Sequence, residues 1–153
     1  MSFDIKQLKP RKGNRVRTNQ GYINPKSCKK LFPGLENSPI EYRSDWERVY
    51  IYHLESNPEV RYWGSECINI KYKLLTDGTT HDYFPDFVVE KTNGEVYVIE
   101  IKPKIQCKRP LTENSWLWNE YTKNMSKWTA AKRFCESRGL KFQILTEETI
   151  KKL

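Results

Sequence analysis

The chain has 153 residues, of which 37% are apolar and 30% charged, with a formal net charge of +8. That length suits one domain with a modest core. The mean hydropathy of −0.81 argues against a transmembrane helix, as does the absence of any run near the roughly 20 apolar residues such a span needs. The opening MSFDIKQLKP has no apolar h-region, which predicts no signal peptide. Cys28, Cys67, Cys107 and Cys135 form no C-x-x-C, and the only histidines are His53 and His81. This spacing predicts free, core-type thiols and no zinc site.

Charge is unevenly placed. Residues 1–37 hold nine basic groups (Lys6, Lys9, Arg11, Lys12, Arg15, Arg17, Lys26, Lys29 and Lys30) against Asp4 and Glu36, which is +7 of the total. Residues 38–153 carry only +1. We read a basic, mostly extended N-terminal arm over 1–37 and a folded domain over 38–153. Such an arm suits a polyanion, since each neutralised phosphate releases counterions. It lacks the amphipathic period of a membrane-surface helix. A solvated tail that aids solubility is the alternative. Tyr22, Ile23, Leu31, Phe32 and Leu35 are apolar enough to dock on the body.

In EYRSDWERVYIYHLESNP, the apolar spacing of Tyr42, Trp46, Val49, Tyr50 and Leu54 predicts a helix ending at Asn57-Pro58. VRYWGSECINIKYKLL reads as a β-strand, Thr76–Thr79 as a turn, and HDYFPDFVVE as a second strand. Thr92-Asn93-Gly94 is a tight turn into VYVIEIKPK, a strand apolar on both faces and therefore central. Residues 104–115 read as a loop. A long helix is expected over 115–138, with a stripe of Tyr121, Met125, Trp128, Ala131 and Phe134/Cys135, and Gly139 just past its end. LKFQIL is the last strand, and TEETIKKL a short helix capped by Thr146. The order is αβββαβ: an α/β domain with a small mixed sheet flanked by helices.

The central strand carries a charge that a buried strand should not have. Val96, Val98, Glu100 and Lys102 share one face, and a carboxylate in mid-run must be paired or bind a cation. A three-residue loop at Thr92–Gly94 pairs Lys91 with Glu95 and, counting back, sets Asp86 opposite Glu100. Cross-strand neighbours lie about 4.5–5.5 Å apart at Cβ, so two carboxylates and Lys102 meet at one spot. Oxygen-only ligands favour Mg²⁺ or Mn²⁺, and such an ion assists phosphodiester hydrolysis. A purely structural Asp–Lys–Glu cluster is the competing reading.

Pro85-Asp86, thirteen intervening residues, then Glu100-Ile101-Lys102 resembles the PD-(D/E)XK motif of the restriction-endonuclease-like nuclease superfamily, whose core is αβββαβ. Two of its groups are most similar: the endonuclease subunit of Tn7-type transposases and the head-completion nucleases of T-even-type tailed phages. The resemblance implies a Mg²⁺- or Mn²⁺-dependent nuclease acting on double-stranded DNA as an endonuclease, with exonuclease action left open. It implies metal ligation by Asp86, Glu100 and the Ile101 carbonyl, with Lys102 activating the nucleophile. Glu47 of the first helix would complete the set, although Ser44-x-x-Glu47 is also a capping box; Asp45 and Glu41 are weaker substitutes. Lys127 of the second helix is the matching assisting residue. Arg43 would meet a phosphate at the mouth, with a salt bridge to Asp45 or Glu47 equally open. Phage resemblance further implies portal or neck partners and a place in the virion connector or the host cytoplasm during assembly. A structural neck or DNA-binding protein, or a transposase or repair endonuclease subunit, are the alternatives. Trp46 and Trp128 read as core, Trp116 and Trp118 as core or interface ahead of base stacking, and His81 as a surface residue.

Overall fold

A computed structural model describes residues 21–113 and 115–153; the basic residues Lys6, Lys9, Arg11, Lys12, Arg15 and Arg17 lie outside them. In chain order the elements are β1 (Gly21–Ile23), β2 (Ile40–Tyr42), α1 (Asp45–Ser56), β3 (Val60–Ser65), β4 (Ile70–Lys73), β5 (Thr80–Tyr83), β6 (Phe87–Lys91), β7 (Val96–Ile101), α2 (Lys104–Cys107), α3 (Trp116–Arg138), β8 (Lys141–Leu145) and α4 (Glu147–Ile150). Four strands make a central mixed sheet in the order β3-β6-β7-β8, antiparallel except for the parallel β7–β8 pair. The crossover from β7 to β8 runs through α3. This is the mixed α/β architecture with flanking helices expected of a restriction-endonuclease-like core.

β7 sits between β6 and β8, which explains its continuous apolar run: Val98 is fully buried and Ile99 nearly so. α1 covers one face, where the Tyr50 ring packs edge-on against Phe87 at 5.2 Å. By strand alternation Val88, Val98 and Glu100 point to the opposite side, where Trp128, Ala131 and Cys135 of α3 are buried. Ser115 starts α3 by accepting from Trp118 N–H at 3.1 Å, and Gly139 ends it in the left-handed region at φ 70°.

Four expectations change. The two long strands expected at 60–75 and 81–90 are each split, into β3/β4 and β5/β6. Pro85 cannot donate to a ladder, so the second strand breaks around it. The first breaks beside it, where Glu66 adopts φ 45° and its N–H donates to the Asp86 carbonyl at 3.0 Å. Beyond the breaks, β4 and β5 pair with each other as a separate hairpin, tied to α3 by Leu75 N–H donating to Ser126 Oγ at 3.0 Å. The stretch read as a loop contains the single turn α2. Thr146 stands at the cap of α4, but its side chain makes no capping bond.

The described part of the basic segment is held on the body. β1 pairs with β2, Leu31 bridges Trp63 at the outer edge of β3, and Leu31, Phe32 and Leu35 are buried. Each such side chain contributes about 1.5–3 kcal/mol of burial. Tyr22 stays exposed. All four cysteines are free thiols, Cys67 and Cys135 buried, Cys28 and Cys107 half-buried.

Candidate active site

The strand breaks and the end of β7 open a cleft of about 870 Å³, bounded by the start of α1, the β4–β5 hairpin and one face of α3. Glu47, Asp86, Glu100, Ile101, Lys102 and Lys127 all line it, as do Arg43 and Glu66.

The hairpin register is the expected one. Lys91 N–H donates to the Glu95 carbonyl at 2.8 Å, Gly94 takes φ 91°, and the ladder runs on to Phe87 opposite Ile99. One step further, beyond the last ladder pair, Asp86 comes level with Glu100. Asp86 does not continue the ladder with its backbone; its Oδ2 instead accepts the Ile101 N–H at 2.7 Å. Glu100 is buried, and its Oε2 accepts from the Tyr83 hydroxyl.

Glu47 arrives from α1 in a modified capping arrangement. Ser44 Oγ accepts from Glu47 N–H at 3.2 Å. A capping box would return the Glu47 carboxylate to the Ser44 amide; here Oε2 accepts from Arg43 N–H at 2.7 Å, one residue earlier. The acid is thereby placed over the cleft as well as at the helix end. Asp45 faces away, exposed, 3.5 Å from Arg48.

Burial drives all three carboxyls upward. Desolvation raises Asp86 and raises Glu100 well above the ordinary range, the neighbouring Asp86 charge adding to the latter. Glu47 is pushed up to about 8, by burial first and by Asp86 second. Lys102 works against the rise at both Asp86 and Glu100. Lys127 lies 5.4 Å from the Tyr83 ring centroid, and burial lowers its ammonium pKa while Glu100 partly restores it. Three acids that cannot all stay charged without a partner are a donor set waiting for protons or a cation.

Among the described residues, no three or more His, Cys, Asp or Glu side chains are grouped so as to hold a metal ion as they stand. The chemistry of the set nevertheless fits a hard cation. Each carboxylate is anchored through one oxygen, carboxylates have lone pairs to spare, and oxygen donors suit Mg²⁺ or Mn²⁺.

Arg43 reaches the cleft wall, but its guanidinium is engaged by Glu66, with Nη2–Oε2 at 3.1 Å, and lies 3.6 Å from Glu41. Neither Asp45 nor the Glu47 side chain is its ion-pair partner. Tyr83 and Glu66, which bond to Glu100, Arg43 and the Asp86 backbone, were not anticipated. Glu66 was legible: it falls on the same alternation as Val60, Tyr62, Ile68 and Ile70, a carboxylate in an apolar series like Glu100. His81 is exposed on the wall formed by β5, stacked on Tyr72 at 5.6 Å. Trp128 is buried and Trp46 packs half-buried against the core, whereas Trp116 is 64% exposed and Trp118 lies under the Arg109 guanidinium.

Known proteins align through this cleft. The family described as TnsA-like endonuclease N terminal matches residues 57–147, a span that contains Glu66, Asp86, Glu100, Lys102 and Lys127 and starts beyond Glu47. The head completion nuclease of Enterobacteria phage T4 is 36% identical over 124 residues, covering 74% of this chain and 83% of that protein. A family match over more than half of the chain, joined to that identity, settles its membership: the chain belongs to the TnsA-like endonuclease N-terminal family.

Proposed function

We propose that this chain is a Mg²⁺- or Mn²⁺-dependent nuclease that cuts double-stranded DNA in the cleft between α1, β6–β7 and α3. The observation that supports this best is the convergence of Asp86, Glu100 and Glu47 with Lys102 and Lys127 in one recess, all three acids pushed upward. Asp86, Glu100, Glu47 and the Ile101 carbonyl would hold the ion. Such an ion would supply Lewis-acid chemistry for phosphodiester hydrolysis. Lys102 orients the attacking water and offsets the charge that builds on the phosphoryl oxygens. Lys127 adds a poorly solvated positive charge beside Glu100. The Tyr83 hydroxyl holds the Glu100 carboxylate and the Ile101 amide holds that of Asp86.

The arm residues Lys6, Lys9, Arg11, Lys12, Arg15 and Arg17 supply affinity for DNA phosphates and no chemistry. Arg43 meets a phosphate only by exchanging Glu66 for it; in the structure it neutralises acids at the mouth. Likeness to the phage T4 head completion nuclease supports a role in finishing the phage head. There the chain would act on packaged DNA at the portal or neck before the tail joins, with portal or neck proteins as partners. Its place is then the virion connector, or the host cytoplasm during assembly.

The test is cleavage of linear and circular duplex DNA in Mg²⁺, with and without chelator, by wild type and Asp86→Ala. Cutting of the circle establishes endonuclease action, and Asp86→Ala is expected to be inactive. A folded Asp86→Ala protein that cleaves within a few-fold of wild type would overturn the assignment.

A further inference from the structure

Glu66 combines three features that a wall residue does not need. It holds φ 45° although it is not glycine, a conformation that L side chains avoid and glycine takes freely. Its N–H is fastened to the carbonyl of Asp86 at 3.0 Å. Its carboxylate forms a two-point ion pair with Arg43, and the two side chains are only 12% and 15% exposed. Buried pairs of this kind recover their desolvation cost only with good geometry and supporting bonds. Glycine would fit the backbone with less strain, so what Glu66 contributes beyond glycine is the carboxylate itself.

Arg43 connects that carboxylate to the site. Its guanidinium is clamped by Glu66, its Nε is buried without a hydrogen-bond partner, and its backbone N–H holds Glu47 Oε2 at 2.7 Å. Glu66 therefore meets the Asp86 backbone directly through its own amide and reaches the Glu47 carboxylate through Arg43. The two acids come from different elements, α1 and the β5–β6 break, and among the described residues no side-chain hydrogen bond joins them directly.

We propose that Glu66 is a positioning residue of this site, acting through Arg43 to hold Glu47 in register with Asp86. The proposal rests on the metal-site reading above. It makes Glu66 a support for the carboxylates and not a group that touches DNA. Outer supports of metal ligands typically cost about 10- to 100-fold in affinity or activity when removed.

Two variants separate this from a merely structural pair. Glu66→Gln keeps the shape and one hydrogen bond to Arg43 but loses the charge. Glu66→Asp keeps the charge, tolerates positive φ better, and withdraws the carboxylate by one methylene. Both should fold, as judged by melting temperature. Each should lower kcat about tenfold with little change in KM for DNA, and each should weaken Mg²⁺ binding measured by calorimetry without DNA. In an Arg43→Lys background the Glu66 variants should add almost nothing, because coupled residues are not additive. If Glu66→Gln does not fold, Glu66→Asp carries the same test. Folded variants with kcat and Mg²⁺ affinity within about twofold of wild type, against a floor of tenfold for such supports, would overturn the proposal, as would losses that add to those of Arg43→Lys. Asp86→Ala in the same calorimeter keeps the two failures apart. If Asp86→Ala binds Mg²⁺ like wild type, the metal-site reading fails; if it loses binding while the Glu66 variants do not, only the positioning role fails.

Discussion

The β6–β7 hairpin brings acids and lysines together at both of its ends, and the two ends behave oppositely. At the turn, Glu95 is half-buried and pairs with Lys141, and Asn93 and Tyr97 also bond its carboxylate. These bonds pull its pKa below the ordinary range, Lys141 first. Lys91 and Lys141 lie against the Tyr97 ring at 4.7 and 5.6 Å. At the broken end, Asp86 and Glu100 are desolvated, a third acid leans in from α1, and all three are raised. The residue classes are the same; burial and the local ratio of acids to bases differ. At the turn, the Glu95 charge finds a counterion in Lys141. In the cleft, the acids outnumber the cations free to pair with them, and this imbalance is what a divalent ion would correct.

The largest break in this comparison should come from emptying one end and not the other. Glu100→Ala and Lys102→Ala should each remove nearly all cleavage, and Glu100→Ala combined with Lys102→Ala should be little worse than either alone, because residues that act as a unit are not additive. Glu95→Gln, at the turn, should cleave like wild type. Losses that multiply in the double variant, or a comparable loss in Glu95→Gln, would show that the hairpin as a whole and not its broken end is needed.

Glu47→Gln sharpens the same contrast through pH. Gln keeps the bond to the Arg43 amide and serves equally well at a helix start. Activity should nevertheless fall, by about tenfold or more at low Mg²⁺. Because folding raises the Glu47 pKa from 4.5 to about 8, the folded protein keeps that proton longer than the unfolded chain does. Through this group, metal-free stability falls as pH rises across that window. Glu47→Gln removes the effect, so its melting temperature should gain on wild type as pH climbs toward 8 and then level off. Added Mg²⁺ should narrow the gap by stabilising wild type. A gap that is flat with pH, or full activity of Glu47→Gln throughout a Mg²⁺ titration, would remove Glu47 from the site.

The smallest effect on chemistry should come from the basic N-terminal residues. Deleting residues 1–20 removes six basic groups. If three of them meet phosphates, the log–log salt dependence of DNA binding should become shallower by about 3, at ~0.9 per contact. Turnover at saturating DNA should hold. An unchanged slope would assign the arm to something other than DNA.

Much of the architecture was legible from local rules. Apolar period and caps located α1 and α3, the double-sided apolar run located β7, and Gly94 gave the turn from which the Asp86–Glu100 alignment was counted. The breaks were harder to read. Pro85 marked one, but alternation continued smoothly through Glu66, and periodicity alone cannot show that a chain turns aside while keeping its pattern. Glu66 was passed over for that reason, although a carboxylate in an apolar series was the same signal that singled out Glu100.

Sequence alone determined that a hairpin would bring Asp86 level with Glu100, because strand register depends only on the loop and the period of two. Tertiary structure decided which other groups join them. Glu47, Tyr83, Lys127 and the Arg43–Glu66 pair come from separate elements, and their approach depends on how α1, α3 and the bent β4–β5 hairpin pack around the sheet. The upward pKa shifts belong to that second category as well. They arise from water excluded by packing, a property that no stretch of sequence possesses until the chain has closed around it.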